Sequence, residues 1–299
     1  MTTGLYMSSI RLSLLTVVTM LCFAGNSVFC RLALRQTSID AASFTSARLI
    51  SGSLMLASLV YCRHRWRQTE ISLTDPVRAF GGNWISALAL FVYASSLSFS
   101  YADMTTGIGA LLLFGAVQGT MILTGLWFGE RLSVRQVGGL LLATAGVVAI
   151  LSPSTNKAPP LGSAFLMIAS GVAWGIYSLR GRGAADPTGD TAGNFLRVAL
   201  MSTVLSGMLL ARQHLDGLGL LYAVLSGAIT SGMGYAVWYA VLPSLTRSRA
   251  ASVQLSVPVL ASLAGALFVQ EPITLRLVLA STAVLGGIAM VVLNRQRAV

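Results

Sequence analysis

Residues 129–147, GERLSVRQVGGLLLATAGV, return in altered spelling at residues 270–288 as QEPITLRLVLASTAVLGGI. Glu130 and Glu271 are 141 positions apart (271 − 130), and Gly146 and Gly287 keep the same offset (287 − 146). Outward from this stretch the likeness extends over 85–151 and 226–293. Each copy has an apolar run, a Tyr-Ala pair, a polar break, and a second apolar run leading to the glutamate. The pairs are Tyr93-Ala94 and Tyr239-Ala240, and the breaks are Ser100–Thr106 and Ser244–Ala251. A membrane chain built from two copies of one unit usually holds a solute path between them. Transport is therefore the leading expectation.

Composition agrees. Of 299 residues, 55% are hydrophobic and only 10% charged, with a mean hydropathy of +0.76. Soluble domains carry about 25% charged residues, so this chain has too little polar surface to cover a water-soluble globule. The apolar runs are long and continuous, which favours spanning helices over the short alternating strands of a barrel. Helices are expected at about 12–34, 40–62, 78–100, 104–128, 134–151, 160–181, 190–212, 218–242, 249–269 and 274–293. The first run follows Arg11 and resembles a signal peptide, but it has a counterpart at 160–181, with Gly25 matching Gly175, so it is read as a retained helix. The expected fold is an all-α integral membrane protein of ten transmembrane helices in two five-helix repeats. These are residues 1–151 and 160–299, joined by a linker at 152–159 rich in Pro, Ser and Asn.

The net charge of +11 comes almost wholly from arginine, scattered in ones to threes between apolar runs. No basic stripe interleaved with aromatics is present, so nucleic acid is not an expected partner. With the N-terminus inside, 13 basic residues fall on inner loops and 5 on outer ones. That bias predicts that both termini are cytoplasmic; a bacterial-type inner membrane is the expected location. Five spans per repeat make the second copy inverted, which suits alternating access. The expected partners are a small-molecule substrate and the lipid bilayer, and a monomer is expected. The three cysteines, Cys22, Cys30 and Cys62, have neither metal spacing nor the pattern of a disulfide framework, and no metal or other cofactor is expected.

All nine acidic residues fall in loops or at helix ends, as do both histidines. A pump for hydrophobic cations normally keeps a buried carboxylate, and a membrane enzyme needs an acid–base or metal constellation. Neither pattern is present. Uncharged polar and aromatic groups remain in the spans. Ser163, Met167, Ser170, Trp174 and Tyr177 share one face of helix 6. Ser231, Tyr235, Trp238 and Leu242 share one face of helix 8. Helix 3 offers Trp84, Leu88, Phe91, Ser95 and Ser98, while Asn26, Gln118 and Gln254 lie on helices 1, 4 and 9. The expected substrate contacts are Trp174, Tyr177, Tyr235, Trp238, Asn26, Trp84, Ser95, Gln118 and Gln254. An interfacial aromatic belt is the alternative for these aromatics, above all for Trp84 and Trp127 near helix ends. Arg48 and Arg197 occupy corresponding places in helices 2 and 7. They read as snorkelling or carbonyl-capping groups near the outer surface, with an anion-binding pair as the alternative. Glu130 and Glu271 read as structural groups bonding the backbone at the next helix start.

The half ending Gly129-Glu130-Arg131-Leu132, with Gly138-Gly139 and Ala145-Gly146-Val147, resembles the EamA unit of the drug/metabolite transporter superfamily. The second half, with Pro258, Glu271-Pro272 and Gly286-Gly287, resembles it more closely. The resemblance covers nearly the whole chain. It implies ten helices, inverted repeats and a central cavity walled by helices 1, 3, 4, 6, 8 and 9. The aromatic helices 6 and 8 look most like aromatic amino-acid exporters of the YddG type. The family proline of the fourth helix is present as Pro258, whereas the first copy has Val117. A gating break is thus expected in one half only. The expected function is export of small amphipathic metabolites, chiefly aromatic and neutral amino acids, and not enzymatic. A carrier of nucleotide-linked or phosphorylated sugars, a membrane-embedded enzyme and a purely structural scaffold are the alternatives.

Overall fold

The computed structural model describes residues 8–66, 80–129, 132–152, 158–181, 184–245 and 247–294. Ten helices run through them: α1 (Ser9–Gln36), α2 (Ala41–Trp66), α3 (Trp84–Tyr101), α4 (Thr106–Trp127), α5 (Val134–Leu151), α6 (Leu161–Arg180) and α7 (Pro187–Met208), followed by three more. α8 is composite, with α-helical Gly217–Val224 and Gly234–Val241 flanking a π-helical Leu225–Met233. α9 comes in two pieces, Arg247–Gln254 and Ser256–Phe268, and α10 is Leu275–Asn294. Eight helices are long and apolar enough to cross a membrane, and α9 contributes a shorter apolar helix. α7 carries Asp190 and Arg197 within its length.

Loop polar residues start the helices. Asn83 accepts from Ser86 N–H, Asp186 from Gly189 N–H ahead of Pro187, and Asp216 from Gly219 N–H, all N-terminal caps. Ser133 and Gln136 form a reciprocal capping box on α5. Asp186 starts α7 three residues earlier than the apolar pattern suggests, a start that the Asp-Pro dipeptide encodes. Inside the helices, hydroxyls such as Thr16, Thr45, Ser98 and Thr120 donate to the carbonyl four residues back. That keeps them satisfied where lipid offers no partner. Leu14, Leu21, Leu54, Leu263 and Leu279 stand exposed, as an apolar solvent permits.

The packing has an internal regularity. α5 lies on α10, α2 on α7 and α4 on α9; α3 lies on α6 as α8 lies on α1; α4 lies on α6 as α9 lies on α1. Each contact maps onto itself or onto another when five is added to or subtracted from the helix numbers. α5 and α10 run antiparallel with no room between backbones. A Cβ on Gly139 would stand 2.6 Å from the Gly287 carbonyl, and one on Gly146 would stand 3.0 Å from the Ala280 carbonyl. These partners exchange under the 141-residue offset of the sequence (139 + 141 = 280; 146 + 141 = 287). α4 is unbroken through Val117, whereas α9 is interrupted at Leu255, three residues before Pro258. The proline cannot donate the N–H that would tie the second piece to the first.

Candidate functional site

The cavity forms where α1, α3, α4, α6 and α8 converge. The rings of Phe23, Tyr93, Phe114, Trp174 and Tyr235 wall a narrow cavity of about 20 Å³ in this conformation. Asn26, Ser27 and Thr230 supply the polar lining. Trp174 is central: its ring centre lies 4.8 Å from Tyr93, 5.0 Å from Tyr235 and 5.5 Å from Tyr177. Phe23 meets Trp174, Tyr235 and Trp238 edge-on. Such tilted and T-shaped contacts are the favoured ring geometries. All five rings are buried.

One polar corner is wired. Asn26 Nδ2 donates to Tyr93 Oη at 3.1 Å, and Ser226 Oγ donates to Asn26 Oδ1 at 2.7 Å. Ser226 belongs to the π-helical part of α8, and wide turns of this kind recur at functional sites. Ser170 Oγ donates to the Tyr93 carbonyl, joining α6 to α3 at the same level.

Of the expected contacts, Trp174, Tyr177, Tyr235, Trp238 and Asn26 are brought into this one cluster. Tyr177 turns toward a second, more polar space. That space is bounded by Asn83, Arg180, Asp190, Asn194 and Tyr239 toward the α6–α7 turn, and as a cavity it amounts to about 30 Å³. Gln118 and Gln254 are buried but do not line the cavity, and Gln118 Nε2 has no hydrogen-bond partner. Ser95 likewise stands away from the cavity, with its hydroxyl unpartnered.

Four expectations need correction. Trp84 is 58% exposed, with the Arg197 guanidinium 5.8 Å over its ring, and it takes no part in the cavity. The inward face of α3 is Ser86, Leu90, Tyr93 and Leu97, roughly opposite the Trp84–Leu88 side. Arg48 does not snorkel: it is 1% exposed and packed behind the cavity wall. Its guanidinium lies 5.5 Å from the Tyr93 ring centre, and Nη2 donates to Tyr93 Oη at 3.4 Å. Arg31, counted as an outer-loop topology charge, is buried and pairs with Glu271 at 2.9 Å. Glu271 does bond a helix start, but that of α4 and not α10: Oε2 accepts from Thr106 N–H at 2.7 Å. Arg197 caps the carbonyls of Gly81 and Gly193 at 2.8 Å each. Glu130 lies outside the described residues. Phe23 and Tyr93 were not singled out as contacts in the sequence. The signal for Tyr93 was its place in the repeated Tyr-Ala pair.

At the α6–α7 end, Arg63 and Asp186 form a half-exposed, bidentate pair, with Arg63 Nη1 to Asp186 Oδ1 at 2.8 Å. The Arg63 hydrogen bonds hold the Asp186 carboxyl below its ordinary value against opposing burial, with Gly189 N–H assisting. A depressed folded value means this stabilisation is complete above the unfolded carboxyl range, near 3.9. It is lost as pH falls through the lower folded value. Exposure screens the pair, so Asp186→Asn is expected to cost about 1 kcal/mol or less at pH 7. The deficit should shrink as the pH falls below that range, as melting curves of the purified protein at neutral and acid pH will show. Among the described residues, no group of three or more His, Cys, Asp or Glu side chains gathers at any point.

A protein-family model matches both halves of the chain. The description "EamA-like transporter family" fits residues 11–152 and again residues 161–293. The chain belongs to the EamA-like transporter family. It is therefore a multi-pass membrane transporter. An uncharacterized protein of Pseudomonas aeruginosa, PA1977, is 53% identical over 95% of this chain and 96% of its own length. An uncharacterized transporter of Archaeoglobus fulgidus is 31% identical, covering 71% of this chain and 78% of its own. The uncharacterized transporter YvbV of Bacillus subtilis is 24% identical over 83% of this chain and 81% of its own. A crystal structure superposes on this EamA-family chain with a TM-score of 0.67 at 18% identity, over 97% of this chain and 100% of the other. That similarity concerns the fold alone.

Proposed function

We propose that this transporter exports small amphipathic metabolites, foremost aromatic and neutral amino acids of the kind carried by YddG-type exporters, across a bacterial inner membrane. The observation that carries this reading is the aromatic chamber with one wired polar corner. Five rings suit an apolar or aromatic side chain, and Asn26, Ser27 and Thr230 suit the polar end. The mechanism is alternating access between two inverted halves, 1–151 and 160–299, joined at 152–159. The exchange of packing partners under the five-helix shift supports this, as does the antiparallel pairing of α5 with α10. α3, α4, α8 and α9 rock about the chamber, with Pro258 and the Leu255 interruption as the hinge of the second half. Both termini are cytoplasmic, and the unit acts as a monomer.

Counterflow of labelled tryptophan into liposomes tests the reading. Trp174→Ala should raise the apparent Michaelis constant for tryptophan about tenfold, since one well-packed ring is worth roughly 1–1.5 kcal/mol beyond its area. Truncation of this buried ring also costs stability, about 3–5 kcal/mol, so affinity is compared on folded protein recovered by gel filtration. Equal affinity in wild type and variant would remove Trp174 from the contacts. Counterflow of a sugar phosphate or a quaternary ammonium drug in place of tryptophan would overturn the substrate class.

A further inference from the structure

Arg48 is a charge that the proposed substrate reading leaves unused. Two of its three guanidinium nitrogens, Nε and Nη1, have no hydrogen-bond partner. The third reaches only the Tyr93 hydroxyl. Among the described residues the ion pairs are Arg31–Glu271 and Arg63–Asp186, and neither involves Arg48. A guanidinium is always charged. Buried without a counter-charge it is among the most costly groups a fold can hold, and an apolar side chain of like size would serve packing better. Such a residue in a spanning segment marks a solute or ion path, with its partner to be named.

The surroundings point to where that partner sits. Tyr93 stands between Arg48 and the chamber: its ring lines the cavity and its hydroxyl accepts from both Arg48 and Asn26. The hydroxyl therefore keeps its own proton to donate. Gly227 lies against the Arg48 backbone, so α8 fixes the arginine at this depth. The Tyr93 hydroxyl, with the Tyr235 hydroxyl beside it, faces the polar corner through Asn26, and the two unpartnered nitrogens of Arg48 lie behind it.

We infer that Arg48 is the counter-ion for a carboxylate on the transported solute, so that the substrate class is aromatic carboxylates and not amines or neutral rings. This rests on the proposed export reading and narrows it. The carboxylate docks at Tyr93 Oη with the Arg48 charge behind that hydroxyl, while the solute ring enters among Phe23, Trp174 and Tyr235. The Tyr93 hydroxyl relays the charge, since Arg48 Nη2 donates to it, and a guanidinium keeps its charge when buried.

The test uses the full-length protein in detergent and in liposomes, with tryptophan, indole-3-propionate and tryptamine as probes. Tryptophan and indole-3-propionate should raise the melting temperature of the wild type, and tryptamine should not. Arg48→Met should melt no lower than wild type without solute, because a buried unpaired charge has been removed. It should lose tryptophan affinity by about tenfold or more in counterflow, with Arg48→Lys in between. A structural arginine would give the opposite thermal result. If Arg48→Met fails to fold, or binds tryptophan within twofold of wild type, the inference falls. Wild-type protein that takes tryptamine as readily as tryptophan also overturns it while leaving the aromatic-exporter reading intact. Wild-type protein that moves no indole solute overturns that reading and this inference together.

Discussion

Gly227→Ala is expected to remove folded transporter from the membrane or to leave it melting several degrees lower. A Cβ at 227 would lie 2.0 Å from the Arg48 carbonyl oxygen and 2.1 Å from Ser51 Oγ. The serine hydroxyl could turn away, but the carbonyl is backbone within α2 and cannot. α2 and α8 would have to move apart by more than an ångström at a crossing where small residues allow close approach. Overpacking of this kind costs about 1–3 kcal/mol and sometimes more. The displaced segment is the π-helical stretch that carries Ser226 and Thr230, so the polar corner of the chamber would shift with it. Gly138→Ala is the control, since nothing stands within 4 Å of its added Cβ. There, alanine's better helix propensity should leave stability equal or slightly raised. Thermal unfolding of the two purified variants, followed by intrinsic tryptophan fluorescence, decides the matter. Equal melting temperatures would show that the α2–α8 crossing does not depend on Gly227.

The chain's helices were legible because lipid demands long apolar runs, and their pairing was foreshadowed by the 141-residue offset. α6 was legible in finer detail: Ser163, Ser170 and Trp174 mark its inward face with groups that lipid does not favour. α3 was not. Both of its faces are apolar, so period alone does not distinguish Trp84 and Leu88, which face out, from Leu90 and Tyr93, which face in. In water the outward face would have been polar and the choice forced. Arg31 and Arg48 were illegible for a related reason. An arginine within two turns of a helix end reads as a snorkelling side chain whether or not its head reaches water. Only three-dimensional neighbours separate these cases. For Arg31 those neighbours are Glu271 and the Tyr101 and Ala102 carbonyls; for Arg48 the one hydrogen-bond partner is Tyr93. Gln118 and Gln254 were chosen as polar groups within spans, yet polarity says nothing of direction, and neither lines the chamber.

Glu271→Ala is expected to unlatch one end of the chamber. Glu271 follows Gln270, whose left-handed φ of 58° turns the chain back toward the bundle. Its carboxylate then takes Arg31 Nε on one oxygen and Thr106 N–H on the other. Arg31 Nη1 in turn donates to the Tyr101 and Ala102 carbonyls at 2.7 and 2.8 Å. One buried pair thus ties α1, the end of α3, the start of α4 and the end of α9, the helices that must part for solute to pass on that side. Removing the carboxylate strands the Arg31 charge and uncaps Thr106, at a cost of about 3–5 kcal/mol to the closed arrangement. Opening admits water to Arg31 and relieves that cost, so the balance moves toward the open form. Cys30, next to Arg31 and 0% exposed, reports on it. In a Cys22→Ser, Cys62→Ser background, a membrane-impermeant maleimide should label Cys30 at least tenfold faster when Glu271 is alanine. The double variant Arg31→Met, Glu271→Met should recover much of the melting temperature, because apolar packing replaces a buried pair at little net cost. It should still label faster than the parent, because the bonds across the four helices are gone. Cys30 that stays unreactive in both variants would show that the pair fastens nothing that moves.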